Sequence, residues 1–435
     1  MNLKFKHLLK WSFMIVFFTW IAQMAIESKG SMSFLVCRWL FNHYLSQDSR
    51  EIEAESYTGL SSTYYFTSYY LNGMLSAVEG TGDERLLRQT LRYLDIMINQ
   101  SEDFTDHNHH YQAWRPFTVT PDTLVPEPNL HFTFQSMVPI ARAAAIIIKT
   151  PRFKTRYGGT ARRYTAFVDQ AIIQYWLKNR LKGEIPWINT DHFPIWNDNG
   201  SNLALTATFL YQATGDRFYQ DVARKIGEAF KAKLIPVRRG WIWESQTIPI
   251  GSDTDNTPGS VGNQAGVPDT SHANREAMLM VSQYEAGIVF DEQDLDRMAH
   301  TFTDFIWNQS ASDPMFSNYI NGSDKPYRVY KEPGLNGSIY HGWALIGGYS
   351  PQAQKILLWT LNAIVTGAMN PALERNTTSY GGRLALTGHI LRNFSVTQGR
   401  PVQGTFPSLF RLAVTRWEKQ LSNLIGAPSA PENNL

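Results

Sequence analysis

The chain has 435 residues, 43% of them hydrophobic and 18% charged, with a formal net charge of +2. That apolar content suffices for one large core, or two domains at the outside, and so small a net charge gives no field that would draw nucleic acid. One cysteine, Cys37, excludes an intrachain disulfide framework and a cysteine-based zinc site.

Lys4, Lys6 and Lys10 precede an apolar run from Trp11 to Ala22. A basic stretch followed by a run this short reads as an export signal over residues 1–25, cleaved near Ala22 or Ala25 or kept as an anchor. No later stretch is expected to cross a membrane. Residues 31–425 read as one catalytic domain, and the Pro- and Asn-rich stretch 426–435 as a disordered tail.

The body is helix after helix. A helix over Met32 to Leu45 comes first. Hairpins then repeat, each an all-apolar helix followed by an amphipathic one. The pairs are Thr63–Val78 with Asp83–Ile98, Phe132–Ile148 with Ala161–Leu177, and Asn202–Gln212 with Arg217–Phe230. Next come Ser271–Ala286 with Asp294–Trp307, Ser338–Ile346 with Pro351–Val365, and Gly381–Leu391 with Ser408–Leu424. The turns Thr81-Gly82-Asp83 and Thr214-Gly215-Asp216 fall at equivalent places, each with an Asp able to cap the next helix. A helix apolar all round belongs inside and an amphipathic one outside. The expected fold is all-α, an (α/α)6 toroid, or (α/α)7 if the Met32 helix finds a partner; an open solenoid is the alternative. Long polar connections (101–129, 183–201, 238–270, 309–337) all precede inner helices. A ring would gather them around those helices' N-terminal ends, where free N–H groups favour negative charge.

Chemistry-bearing residues concentrate in the same places. Asp269, Ser271, His272, Arg275 and Glu276 open the fourth inner helix, with His272 on one face with Arg275 or Glu276. Tyr340, His341 and Trp343 open the fifth, after Asn336-Gly337. Asn197 to Asn202 opens the third, and His131 the second. His107, His109, His110, Trp114 and Arg115 lie in the connection before it, in a spacing that matches no compact metal motif. Arg328 lies between Tyr327 and Tyr330. Phosphate-binding loops, dinucleotide fingerprints and nucleophile elbows are lacking, which disfavours nucleotide and α/β-hydrolase chemistry.

At Asp269–Glu276 and Ser338–Trp343 the chain resembles the toroidal (α/α) polysaccharide lyases that act on alginate, glucuronan and related uronate polymers. The likeness covers about Tyr57 to Leu424 and rests on hairpin order and on a His and a Tyr at successive inner helices; Asn108-His109-His110-Tyr111 is weakly similar to an alginate-lyase motif. It implies β-elimination. Donors neutralise the uronate carboxylate while a base takes the C5 proton and an acid protonates the leaving oxygen. Tyr340 would take or give that proton, His272 would be its partner, and Asn202 with Arg328 would hold the carboxylate. Arg275, His131, His341, Trp196, Trp243 and Arg115 would bind substrate. No cofactor and no metal is expected, and the partner would be an anionic polysaccharide, with no nucleic acid and no nucleotide; oligomeric state is left open. The alternatives are a toroidal glycoside hydrolase, including the unsaturated-uronyl type, with two carboxylates among Asp191, Asp198, Glu244, Asp269 and Glu276, and a non-catalytic glycan binder using Trp187, Trp196, Trp241 and Trp243.

Overall fold

A computed structural model describes residues 32–106, 109–116, 130–180, 197–244, 267–325, 334–367, 374 and 381–397. The export signal, the tail and the helix expected over Ser408–Leu424 lie outside the described residues. The helices are α1 Met32–Ser56, α2 Ser61–Thr81, α3 Glu84–Asn99, α4 Leu130–Lys149, α5 Pro151–Val168 and α6 Asn197–Thr214. They continue as α7 Arg217–Lys231, α8 Asn274–Glu285, α9 Glu292–His300, α10 Pro351–Thr366 and α11 Gly382–Val396. Wider π-helical turns extend α5 over Asp169–Arg180 and α9 over Thr301–Ile306. Two short antiparallel hairpins sit in the connections: β1 Glu102–Asp106 with β2 His109–Ala113, and β3 Ile235–Val237 with β4 Gly240–Ile242.

The inner elements close on themselves. Helix α2 packs on α4, α4 on α6, α6 on α8, and α8 on a short 3₁₀ segment, Trp343–Gly348; that segment packs on α11, and α11 packs back on α2. Among the described residues this is an (α/α)6 toroid. Helices α3, α5, α7, α9 and α10 lie outside, each against the inner element that precedes it. The sixth outer place belongs to α1, which packs on α11, α2 and α3. The Met32 helix therefore completes the sixth pair, and no seventh hairpin is needed.

The division into layers follows side-chain pattern. Helix α4 is buried without a break from Thr133 to Ile147. It is long and apolar enough to cross a bilayer, contrary to the expectation for the later chain, yet its apolar surface is spent inside the ring. Helix α7 buries one stripe, Val222, Ala223, Ile226, Gly227 and Phe230, and leaves the opposite face in water. The two Thr-Gly-Asp turns are built alike. Gly82 and Gly215 adopt left-handed φ of 63° and 75°, which costs a glycine nothing. Asp83 and Asp216 then cap α3 and α7, each accepting at 2.9 Å from a backbone N–H two residues on.

The α2–α11 seam that closes the ring is made of small residues. A Cβ added at Gly73 would sit 2.6 Å from Ala385 Cα, and one at Gly388 would meet the carbonyl oxygen of Gly73. Farther along, Arg142 of α4 pairs with Glu79 of α2 at 2.6 Å, Arg392 of α11 with Glu79 at 3.0 Å, and Arg392 with Glu285 of α8. This network ties four inner helices together toward their C-terminal ends.

The fifth inner element departs from expectation. A helix over Ser338–Ile346 is replaced by turns followed by the 3₁₀ segment. Gly342 lies so close to the backbone of α8 that a Cβ there would run into the Asn274 carbonyl. Asn274 fixes the segment, donating to Ser338 O at 2.8 Å and accepting from Trp343 N at 3.1 Å.

Candidate functional site

The inner helices run in parallel, so their first turns share one end of the ring. Side chains one helical turn apart face the same way. Tyr65 and Tyr69 come from α2, His131 and Gln135 from α4, and Asn199 and Asn202 from α6. Arg275 comes from α8, and His341 precedes the 3₁₀ segment.

Arg275 joins them. It is 5% exposed, and its guanidinium donates to Gln135 Oε1 at 2.6 Å, to Tyr69 Oη at 2.8 Å and to Tyr65 Oη. Gln135 reaches back to Tyr65 O at 3.1 Å and Ser68 Oγ at 3.2 Å, so its orientation is set. Asn202 donates to Gln135 Oε1 at 3.5 Å, and His131 Nδ1 meets Asn199 Oδ1 at 2.7 Å. Tyr69 stacks on His341 with centroids 3.9 Å apart and planes 17° apart. Burial, and then the charge of Arg275, pushes the His341 imidazole down to about 3, so it is neutral at working pH.

A dyad lies one turn ahead of Arg275. His272 Nδ1 is 2.5 Å from Asp269 Oδ2, while Asp269 Oδ1 accepts from His272 N and Ser271 Oγ, each at 2.9 Å. Burial works against the charge on Asp269. The His272 imidazole and these hydrogen bonds outweigh it and hold the carboxyl at about 2. An ionised Asp269 holds the imidazole by its Nδ1 and so fixes the ring's orientation. Glu276, 1% exposed on the next turn, accepts from Ser201 Oγ at 3.3 Å.

The structure thus brings Arg275, Asn202, His131 and His341 together, with His272 alongside. Two expected site residues are corrected. Tyr340 is 0% exposed and belongs to the core, so its hydroxyl cannot meet a polymer. Trp243 is 1% exposed, edge-on to Phe230 and stacked near Trp343, and is also core. Arg115 stays outside the cluster, in an ion pair with Glu102 at 2.8 Å. Arg328 and Trp196 lie outside the described residues. Sequence reasoning missed Tyr65, Tyr69 and Gln135. Their signal was polar aromatics and an amide placed one turn apart at the start of otherwise apolar helices.

No family model and no curated protein matches the sequence. Among solved structures, the chain is similar to an inactive double aspartate-to-alanine variant of an α-1,6-mannanase of Salegentibacter sp. HEL1_6, in complex with α-1,6-mannotetrose. The TM-score is 0.40 and the identity 12%, over 77% of this chain and 88% of that one. It is also similar to a family 76 glycoside hydrolase from a bovine Bacteroides thetaiotaomicron strain, with a TM-score of 0.39 and 12% identity over 77% and 69% of the two chains. The lyase expectation is corrected on the burial of Tyr340, the group on which elimination rested; both of these similar proteins are named as glycoside hydrolases.

Proposed function

We propose that this chain is a glycoside hydrolase of the extracytoplasmic space that holds a glycan across the N-terminal mouth of its ring. The observation that carries the reading is the cluster around Arg275. Five inner elements each contribute hydrogen-bonding or aromatic side chains to it, and planar amides, tyrosines and a neutral histidine are the groups that read sugar hydroxyls and pack on sugar rings. Hydrolysis needs a base that activates water and an acid that protonates the leaving oxygen. His272, oriented by Asp269, supplies the base. Asp198, in the first turn of α6, is the carboxyl from which the acid is drawn; Glu276 on α8 is as buried as Trp243 and stays behind the mouth.

The test is a panel of α-1,6-mannan, glucuronan and alginate, read by reducing ends and by ultraviolet absorbance. New reducing ends without new absorbance, with oxygen from labelled water in the product, are expected. Asp198→Asn then tests the acid, with Glu276→Gln as the buried control. An unsaturated, absorbing product would overturn the reading. Binding without cleavage of any polymer would make the chain a glycan binder instead.

A further inference from the structure

Beneath the mouth, on the ring axis, lies a cavity with about 30 Å³ of room for water centres, lined by residues of all six inner elements. One water needs about 10–15 Å³ by that measure, so the space suits one small ion or a pair of waters. His389 of α11 lines it and is 1% exposed. Its Nδ1 is 2.8 Å from Ser76 Oγ, which also sits 2.6 Å from Nη2 of Arg142. A guanidinium only donates, so Ser76 accepts that bond, and His389 Nδ1 is the one acceptor among the described residues within reach of the Ser76 hydrogen. With Nδ1 accepting, the imidazole proton sits on Nε2. That atom is buried and has no hydrogen-bond partner among the described residues. A buried donor left unpaired is costly and points to an absent acceptor.

The rest of the lining has the same sign. Arg275 and His341 face the space, and no carboxylate lines it among the described residues. Asn72 turns its carbonyl oxygen to Arg142 at 3.3 Å, which leaves its amide hydrogens for the cavity. Arg275 is the one formal charge among the lining residues. Burial, then Arg142, His341 and Arg392, keep His389 neutral far below its ordinary range.

We propose that the axial cavity is a binding site for one small monovalent anion of halide size, held by His389 Nε2–H and the Asn72 amide beneath Arg275. The cavity shares Tyr69, Gln135, Asn202, Arg275 and His341 with the glycan cluster above it, but its occupancy by a halide does not rest on the glycan reading. The whole chain, crystallised with sodium bromide, should show an anomalous peak within hydrogen-bond reach of His389 Nε2. In solution, bromide or chloride should raise Tm by a saturating step of about 2 °C over gluconate at equal ionic strength. His389→Phe, which removes the donor, should abolish that step. A cavity holding only water in the bromide crystal, or an equal rise with gluconate, would overturn the proposal. If sodium formate raises Tm while bromide gives neither shift nor peak, the site takes a carboxylate and the halide assignment fails. The bromide crystal needs no variant, so a poorly folding His389→Phe leaves the proposal open to refutation.

Discussion

Replacing Gly73 by alanine probes the seam that closes the ring. In most helices this change stabilises by about 0.5–1 kcal/mol, because glycine loses more backbone freedom on folding. Here the new Cβ would lie 2.6 Å from Ala385 Cα and 3.1 Å from Ala385 N. Carbon atoms in contact rest about 3.5–4.0 Å apart, so the helices must separate by about 1 Å. The atoms in the way are backbone and cannot rotate aside, and α11 is also held by α1 and the 3₁₀ segment. Overpacking of this kind costs about 1–3 kcal/mol, and the rigid surroundings place it at the upper end. After the helix gain is subtracted, Gly73→Ala should destabilise by about 2 kcal/mol and lower Tm by about 2 °C. Gly159→Ala on outer helix α5 is the control. Nothing but the far end of Arg162, 3.9 Å away, meets its Cβ, so it should stabilise by about 0.5–1 kcal/mol. Urea melts of both variants decide the matter. A Gly73→Ala protein as stable as the parent would refute the close-packed seam.

Other substitutions test the site and its supports. His272→Ala should lower kcat by about a hundred- to ten-thousand-fold with the fold retained, whereas Tyr340→Phe should leave kcat unchanged, since that side chain never meets substrate; steady-state kinetics on the polymer the parent cleaves separates them. Arg142→Met should cost about 3 kcal/mol in a denaturant melt, because it leaves Glu79 and Arg392 with an incomplete network near the base of the ring. Asp269 is held at about 2, below its ordinary 3.8, so it stabilises the fold by about 2 kcal/mol above pH 4, and that contribution fades as pH falls from 4 toward 2. Asp269→Asn should therefore be less stable than the parent at pH 5, with the gap at pH 2.5 shrunk to about a third of that at pH 5, compared by melts across that range.

The ring was legible because burial writes a plain pattern. An inner helix such as α4, apolar on every side, and an outer one such as α7, apolar on one stripe, differ without reference to neighbours. The matched Thr-Gly-Asp turns marked two of the hairpins. Legibility ended where tertiary contact overrides local preference. The sequence reading starts this outer helix at Ala161, yet it runs from Pro151 through Gly158 and Gly159, because Phe153 on one side of them and Ala161, Tyr164 and Phe167 on the other pack inward. Ser338–Ile346 has helical residues, but Gly342 had to fit against the α8 backbone, and that contact is invisible in one dimension. The site was half legible. His272 and Arg275 announced themselves as charged groups at a helix start, while Tyr340 carried the same signal and was core. The His272 side chain is 32% exposed and buried Arg275 is tied into the polar cluster at the mouth, whereas Tyr340 is wholly enclosed, a difference that residue type does not show.

The seam carries a consequence for assembly. Ser76 and His389, hydrogen-bonded across it, are 313 residues apart in the chain. Around the ring, α2 packs on α4, α4 on α6, α6 on α8 and α8 on the 3₁₀ segment in the order the chain is made, but the closing contact of α2 waits until α11 exists. Contacts so distant in sequence form late and slowly. Until then α2 presents Gly73, Ala77 and Gly80 on a bare, nearly flat face, and an unfinished ring can accept the α11 of a second chain as readily as its own. The same small residues that let the two helices touch thus make this the step at which domain swapping competes with closure.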